Sequence, residues 1–243
     1  MQNKYKTVLI KVVFVLSVLG MLPLFAGLVT RLGVWDPMTG FRLTMGYLIP
    51  STLAALIVLF FIFRFFIKNT GRAMGLYVLS LLFAYAGYIF GVNQEPTDWT
   101  GLRGVHDITT DMDSPPEFKA LLDAPGRRNS FDYPVETAER QKAKFPWVKP
   151  LMSDLSPEDA YMRALMIANQ LGWDVIGEDS TNGRFEATDY TKWFNFHDDL
   201  VIKVTENEEG SRIDLRSLSR VGGSDHGLGA IRIMKFQKLF SAE

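Results

Sequence analysis

The sequence predicts an α+β protein: three N-terminal transmembrane helices followed by an extracytoplasmic two-layer domain, in which an antiparallel four-stranded sheet packs against helices. Three observations predict it. Charge is segregated along the chain. The 243 residues carry 26 Lys and Arg against 27 Asp and Glu, yet residues 1–92 hold eight basic residues and one acid, Asp36, a charge of +7, while residues 93–243 stand at −8. Three apolar runs, near 7–29, 45–67 and 73–92, each reach about the 20 residues that a helix needs to span a bilayer. Beyond residue 150 the pattern reads helix, four strands, helix, and such elements bury their apolar faces most simply as helices on one face of an antiparallel sheet.

Taken in order, residues 1–92 read as a three-helix anchor. A signal peptide with Lys4, Lys6 and Lys11 as its basic region is the weaker reading. Its apolar stretch is too long, and two further runs follow. Lys4 and Lys6, with Arg64, Lys68 and Arg72 at the second turn, place those regions on the cytoplasmic side. Residues 93–243 then fall in the periplasm, beyond a bacterial inner membrane. Ser80, Ala84, Gly87 and Gly91 line one face of the third run. Small residues let helix backbones approach closely, so this face packs either within the anchor or against another membrane protein. No Asp, Glu or His lies inside a run, which argues against an ion pathway.

Residues 93–150 are rich in turn formers, including Pro115, Pro116, Pro125, Gly126 and Pro134, and show little periodicity. They also carry Trp99, Phe118, Phe131, Tyr133, Phe145 and Trp147, so an ordered irregular segment lying over a core is expected rather than a disordered linker. In residues 151–243, Ser156 and Pro157 with Glu158 and Asp159 form a helix start. Tyr161, Ala164, Leu165, Ala168 and Leu171 make its apolar stripe, and Gly172 ends it. Strands are expected at 173–178 and 184–191, joined at Asn182-Gly183. Two more follow at 199–206 and 211–219, and a last helix at 228–240.

Zero Cys excludes a disulfide framework and thiolate chemistry. No P-loop, nucleophile elbow or paired-His motif is present, and neither a cofactor nor a metal is expected. The acidic second half argues against nucleic-acid binding. Five features remain as candidate sites. His106 with Asp107 and Asp111 has the residue types of a general base or half a metal site, or its Asp and Thr side chains satisfy backbone groups. His197, Asp198 and Asp199 sit on a strand start, where adjacent residues point to opposite faces. Arg212, Asp214, Arg216 and Arg220 alternate opposite Ile213 and Leu215. They suit a carboxylate or phosphate, or pair across strands with acids such as Glu186. The glycine-rich 222–229 stretch with Ser224 and Asp225 precedes the last helix, as an anion site or as an ordinary cap. Trp193, Phe194 and Phe196 cluster at a strand end.

Several segments together resemble a known family. They are Arg31 to Asp36, Gly40-Phe41, His106 to Asp111, Pro115 to Phe118, Trp193 to Asp199, Arg216 to Gly222 and Ser224 to Ile233. The pattern is that of the bacterial family called domain of unknown function 1499, and it departs at Gly229 and Gly223. The resemblance implies an envelope location and supplies no established reaction. Its shared polar positions map to His106, Asp107, Thr110, Asp111, Asp199, Asp214, Arg216, Ser217, Ser219, Arg220, Asp225 and Arg232, which are expected to form one network. The resulting expectation is a non-enzymatic membrane-anchored binding or accessory protein, partnered by the bilayer and by another membrane protein. Its small anionic or lipid ligand would lie at Arg212, Arg216, Ser219, Arg220 and Arg232. A periplasmic hydrolase using His106 with Asp107 or Asp111 and an Arg216/Arg220 clamp is the alternative, and a purely structural tether is a third reading.

Overall fold

The structure, a computed structural model, describes residues 26–44 and 105–242. The chain divides into two compact units, one of Met1–Glu95 with Lys192–Asn195, the other of Pro96–Thr191 with Phe196–Glu243. In the first unit the helix that includes 26–31 gives way to a turn at Gly33, whose φ of +72° suits only glycine without strain. Helix resumes at Pro37 with Asp36 as its cap, Oδ1 accepting from the amides of Met38 and Thr39 at 3.1 Å each. At Gly27 the space a Cβ would take is filled by the Trp193 indole. Arg31 donates to the Lys192 carbonyl at 2.9 Å, and Phe41 meets Phe194 edge to face at 5.6 Å. The Arg31–Asp36, Gly40-Phe41 and Trp193-Phe194 segments of the family pattern therefore converge in this unit.

The second unit is built on one antiparallel sheet. Its strands are β1 (Asp107–Thr109), β2 (Leu151–Ser153), β3 (Asp174–Asp179), β4 (Arg184–Tyr190), β5 (His197–Asn207) and β6 (Gly210–Ser219). The order is β1-β6-β5-β4-β3, and β2 shares with β1 the outer edge of β6. Three helices accompany it: α1 (Val135–Lys144), α2 (Pro157–Gln170) and α3 (Leu228–Ser241). The Ser156 hydroxyl caps α2 by accepting from the Asp159 amide at 3.1 Å. Gly172, at φ +77°, ends it. Between β3 and β4 the turn tightens into a 3-10 helix over Ser180–Asn182, and the positive φ falls on Gly183.

Alternation divides the sheet's two faces. Phe185, Ala187, Leu200, Ile202, Val204, Ile213 and Leu215 pack with Tyr161, Ala164 and Ile167 of α2 and with Ile233, Phe236 and Phe240 of α3. Trp173 stacks on Phe236 at 5.9 Å. Each buried Val, Leu, Ile or Phe among them stabilises the fold by about 1.5–3 kcal/mol through burial. The other face carries only a small apolar cluster, Phe118, Leu121, Val201 and Leu218, set among charged side chains.

The expected architecture is corrected. The sheet has six strands, not four, because β1 and β2 are three-residue strands too short to show alternation; β1 lies within the stretch read as irregular and β2 just after it. Among the described residues no helix is long and apolar enough to cross a membrane, and the turn at Gly33 interrupts helix within 26–44. The inner-membrane location with a periplasmic domain rested on those three spans and is overturned with them. The runs at 45–67 and 73–92, most of the run at 7–29, and the Ser80, Ala84, Gly87, Gly91 face lie outside the described residues.

Candidate functional site

The sheet face opposite α2 and α3 is a layer of arginines and carboxylates. On β4, Arg184 pairs with Glu186. Arg216 of β6 forms a two-pronged bond with Asp107 of β1, Nε to Oδ1 at 3.0 Å and Nη2 to Oδ2 at 2.6 Å. Arg220 grips Asp199 of β5 in the same way, at 2.9 Å for both prongs. Antiparallel register makes this possible, since Val201 lies opposite Arg216 and Thr188 opposite Asp199. At the rim Arg212 bridges Asp111 and Asp214 at 2.7 Å each.

The arginines also hold the irregular segment down. Arg184 donates to the Glu117 carbonyl. Arg216 reaches those of Pro116 and Phe131, and Arg220 that of Pro125. In return Glu186 accepts from three consecutive amides, Lys119, Ala120 and Leu121, at 2.6, 3.1 and 2.9 Å. Residues 110–134 thus form a strap whose carbonyls, lacking sheet or helix partners, are satisfied by side chains from below. The Arg216 guanidinium lies 5.4 Å from the Phe118 ring and 5.6 Å from Tyr133, within cation–π range.

One cation in the layer is incompletely partnered. Arg127, on the strap, has a side chain only 9% exposed. It donates Nη2 to Asp199 Oδ2 and sits 4.1 Å over the Phe131 ring. Its Nε and Nη1 are buried without any acceptor. Asp199 has nothing more to offer, because Thr188, Arg220 and Arg127 already supply four donors to its two oxygens. Burial, then the nearby Arg220 charge, lowers the Arg127 pKa from its ordinary value. Beside it burial and Arg220 also hold His197 below the ordinary histidine value. The neutral ring leaves Nδ1 to accept from Arg220 Nη1, 3.1 Å away.

A second cluster lies on the helix side. Arg232 of α3 donates to Asp189 of β4 at 2.5 Å and to Asp198 of β5 at 2.6 Å, and Asp198 also accepts from the Ser219 hydroxyl. Asp225 accepts from the amides of Gly227 and Gly229, both at 2.8 Å. A Cβ at Gly229 would stand 2.7 Å from Asp225 Oδ2 and 3.3 Å from Ser217 Oγ. Glycine at this departure from the family pattern is therefore what the capping carboxylate requires.

The five anion-binding candidates are thus divided: Arg212, Arg216 and Arg220 on the strap side, Ser219 and Arg232 on the helix side. Of the catalytic candidates, the two carboxylates are engaged in ion pairs, and His106 is fixed through its backbone. Both Asp107 oxygens hold Arg216. Asp111 holds Arg212 and the amides of Asp113 and Ser114, and the His106 carbonyl accepts from the Ser219 amide. Burial raises the Asp107 pKa against the pull of Arg216. Among the described residues no group of three or more His, Asp or Glu is arranged to hold a metal ion.

Sequence reasoning missed Arg127, Asp189 and Gln141. Gln141 is fully buried and completes the β1 edge, its amide receiving the Thr109 N–H at 2.8 Å and donating to the Thr109 carbonyl at 2.6 Å. Asp189 carried a signal, since alternation on β4 sets it opposite Glu186 and Thr188. Arg127 and Gln141 carried none, because their partners are remote in sequence.

These features define an α+β domain with an apolar helix-covered face and an ion-paired face under a strap. The sequence profile of the family described as protein of unknown function DUF1499 matches residues 107–240, and the chain belongs to that family. The match runs from the first residue of β1 into the last turn of α3, so it takes in both ionic clusters. No curated protein matches the chain.

Proposed function

We propose that the domain is a non-catalytic binding module that takes a small anion, a carboxylate or a phosphate, beneath the strap, with Arg127 as the receiving group. One observation carries this reading: two nitrogens of a buried guanidinium lack acceptors in a layer where the other arginines are matched. A buried charged donor without a partner costs the fold about 1–3 kcal/mol or more, and native structures rarely keep one without a bound group to complete it. At this end of the layer two guanidiniums, Arg127 and Arg220, share the single carboxylate of Asp199. The rim pair of acids, Asp111 and Asp214, lies at the far end of β6, where Arg212 already neutralises one of them. The rings of Phe118 and Phe131 flank the Arg127 guanidinium at 6.0 and 4.1 Å, and apolar surroundings strengthen a charge-assisted bond.

Calorimetric titration of inorganic phosphate and of acetate into the full chain and into Arg127→Gln tests the reading. A saturable isotherm for at least one anion, weakened tenfold or more by the substitution, supports it. Equal affinity in the two proteins, or no heat of binding in the wild type, sinks it.

A further inference from the structure

The turn that precedes α3 holds a buried acid for which the anion site has no use. Asp225 is buried. Its amide donates to the Val105 carbonyl at 3.0 Å, and its carboxylate receives only two neutral donors, the amides of Gly227 and Gly229. Among the described residues the charged and titratable groups around it are few. Asp198 approaches from β5, Arg232 from α3, Asp189 of β4 stands beyond Arg232, and His226 follows in the chain; β6 contributes only the hydroxyls of Ser217 and Ser219. Three carboxylates therefore share one guanidinium. Arg232 spends Nε on Asp189 and Nη2 on Asp198, and its Nη1 is buried without an acceptor, so Asp225 has no salt bridge of its own. A carboxylate in such a place is costly, and accepting a proton is the cheapest relief.

We propose that Asp225 is a proton-operated latch: a proton on its carboxyl holds residues 222–227 closed against the sheet at the start of α3, and its loss lets this turn open. The residues suit that motion. Gly222 and Gly227 take positive φ, +91° and +82°, as glycine does without strain, which leaves the backbone free to move on either side of Asp225, and His226 lies between them at +54°. The sign follows from linkage. Burial, with Asp198 adding to it, raises the Asp225 pKa from 3.8 to about 6, whereas an opened, hydrated carboxyl returns to the ordinary value. Opening then releases a proton between those limits. It becomes about tenfold more favourable per pH unit from about pH 4 to about pH 6 and levels off above. The latch is independent of the anion site, and either can fail without the other.

Hydrogen exchange in the full chain, corrected for the intrinsic rate at each pH, reads the opening at the Gly227 and Gly229 amides. In the wild type their protection is expected to fall by roughly two orders of magnitude over that interval and then to stay level. In Asp225→Asn it is expected to be flat. Carbon-13 detection of the Asp225 carboxyl in the wild type gives a second reading that does not require the variant to fold. Parallel protection profiles in the two proteins, or a wild-type carboxyl titrating near 3.8, overturn the latch.

Discussion

Replacing Asp107 with Ala leaves the Arg216 guanidinium, 4% exposed, facing two strap carbonyls and no counter-charge. Removing one partner of a buried pair costs about 3–5 kcal/mol, whereas replacing both by apolar groups of similar volume is near neutral. Urea unfolding should therefore show a severe loss for Asp107→Ala and a much smaller one for the double variant Asp107→Leu with Arg216→Met. Equal losses would mean that the bonds to Pro116 and Phe131, not the charge pair, set the stability of this position. Part of this was legible in advance. Period-two alternation set Arg212, Arg216 and Arg220 on one face, away from Ile213 and Leu215. The acids they choose were not legible, because Asp107 lies 109 residues from Arg216, and only the fold brings β1 beside β6. Asp198 and Asp199 illustrate the converse. Their adjacency sets them on opposite faces, and the fold then gives one to Arg232 on the helix side and the other to Arg220 on the strap side.

At the level of elements, the second residue of α3 is a glycine for a steric reason. Gly→Ala in a helix ordinarily gains up to about 1 kcal/mol. At Gly229 the added methyl would press on Asp225 Oδ2 and on Ile108 Cγ1, at 2.7 and 3.2 Å, so Gly229→Ala is expected to destabilise by about 1–3 kcal/mol, as overpacking does. Thermal unfolding checks the sign, and a raised Tm would show that Asp225 yields. The start of α2 was readable from Ser156-Pro157, and β3 to β6 from alternation and turn residues. The strap was not, since it is fixed by arginine side chains meeting its carbonyls, a pattern with no period. Helix α1 escaped notice because its one buried residue is the polar Gln141, which leaves no apolar stripe.

For the whole molecule, the fold buries Arg184, Arg216, Arg220 and Arg232 together with six carboxylates, Asp107, Glu186, Asp198, Asp199, Asp214 and Asp225, so the ionic layers take slightly more negative than positive charge away from the surface of the acidic half. Stability should respond to pH through two opposed groups. Asp225 is raised from 3.8 to about 6: its contribution is greatest at low pH and is lost as pH rises through that window, by at most about 3 kcal/mol. His197 is lowered from 6.5: its contribution is full above 6.5 and is lost as pH falls below it. Urea midpoints compared between wild type and Asp225→Asn isolate the first effect. The wild type should lose stability relative to the variant as pH rises from about 4 to about 6, and a constant difference would contradict this.

The central claim, that Arg127 receives an anion beneath the strap, is tested most directly by nitrogen-15 spectra of the arginine Nε–H groups during titration with inorganic phosphate. The Arg216 and Arg220 Nε–H groups already donate to Asp107 and Asp199, while that of Arg127 has no acceptor. The account predicts a saturable shift of the Arg127 resonance with those of Arg216 and Arg220 unmoved. A titration in which Arg127 stays fixed, or in which only the more exposed Arg212 responds, would contradict it.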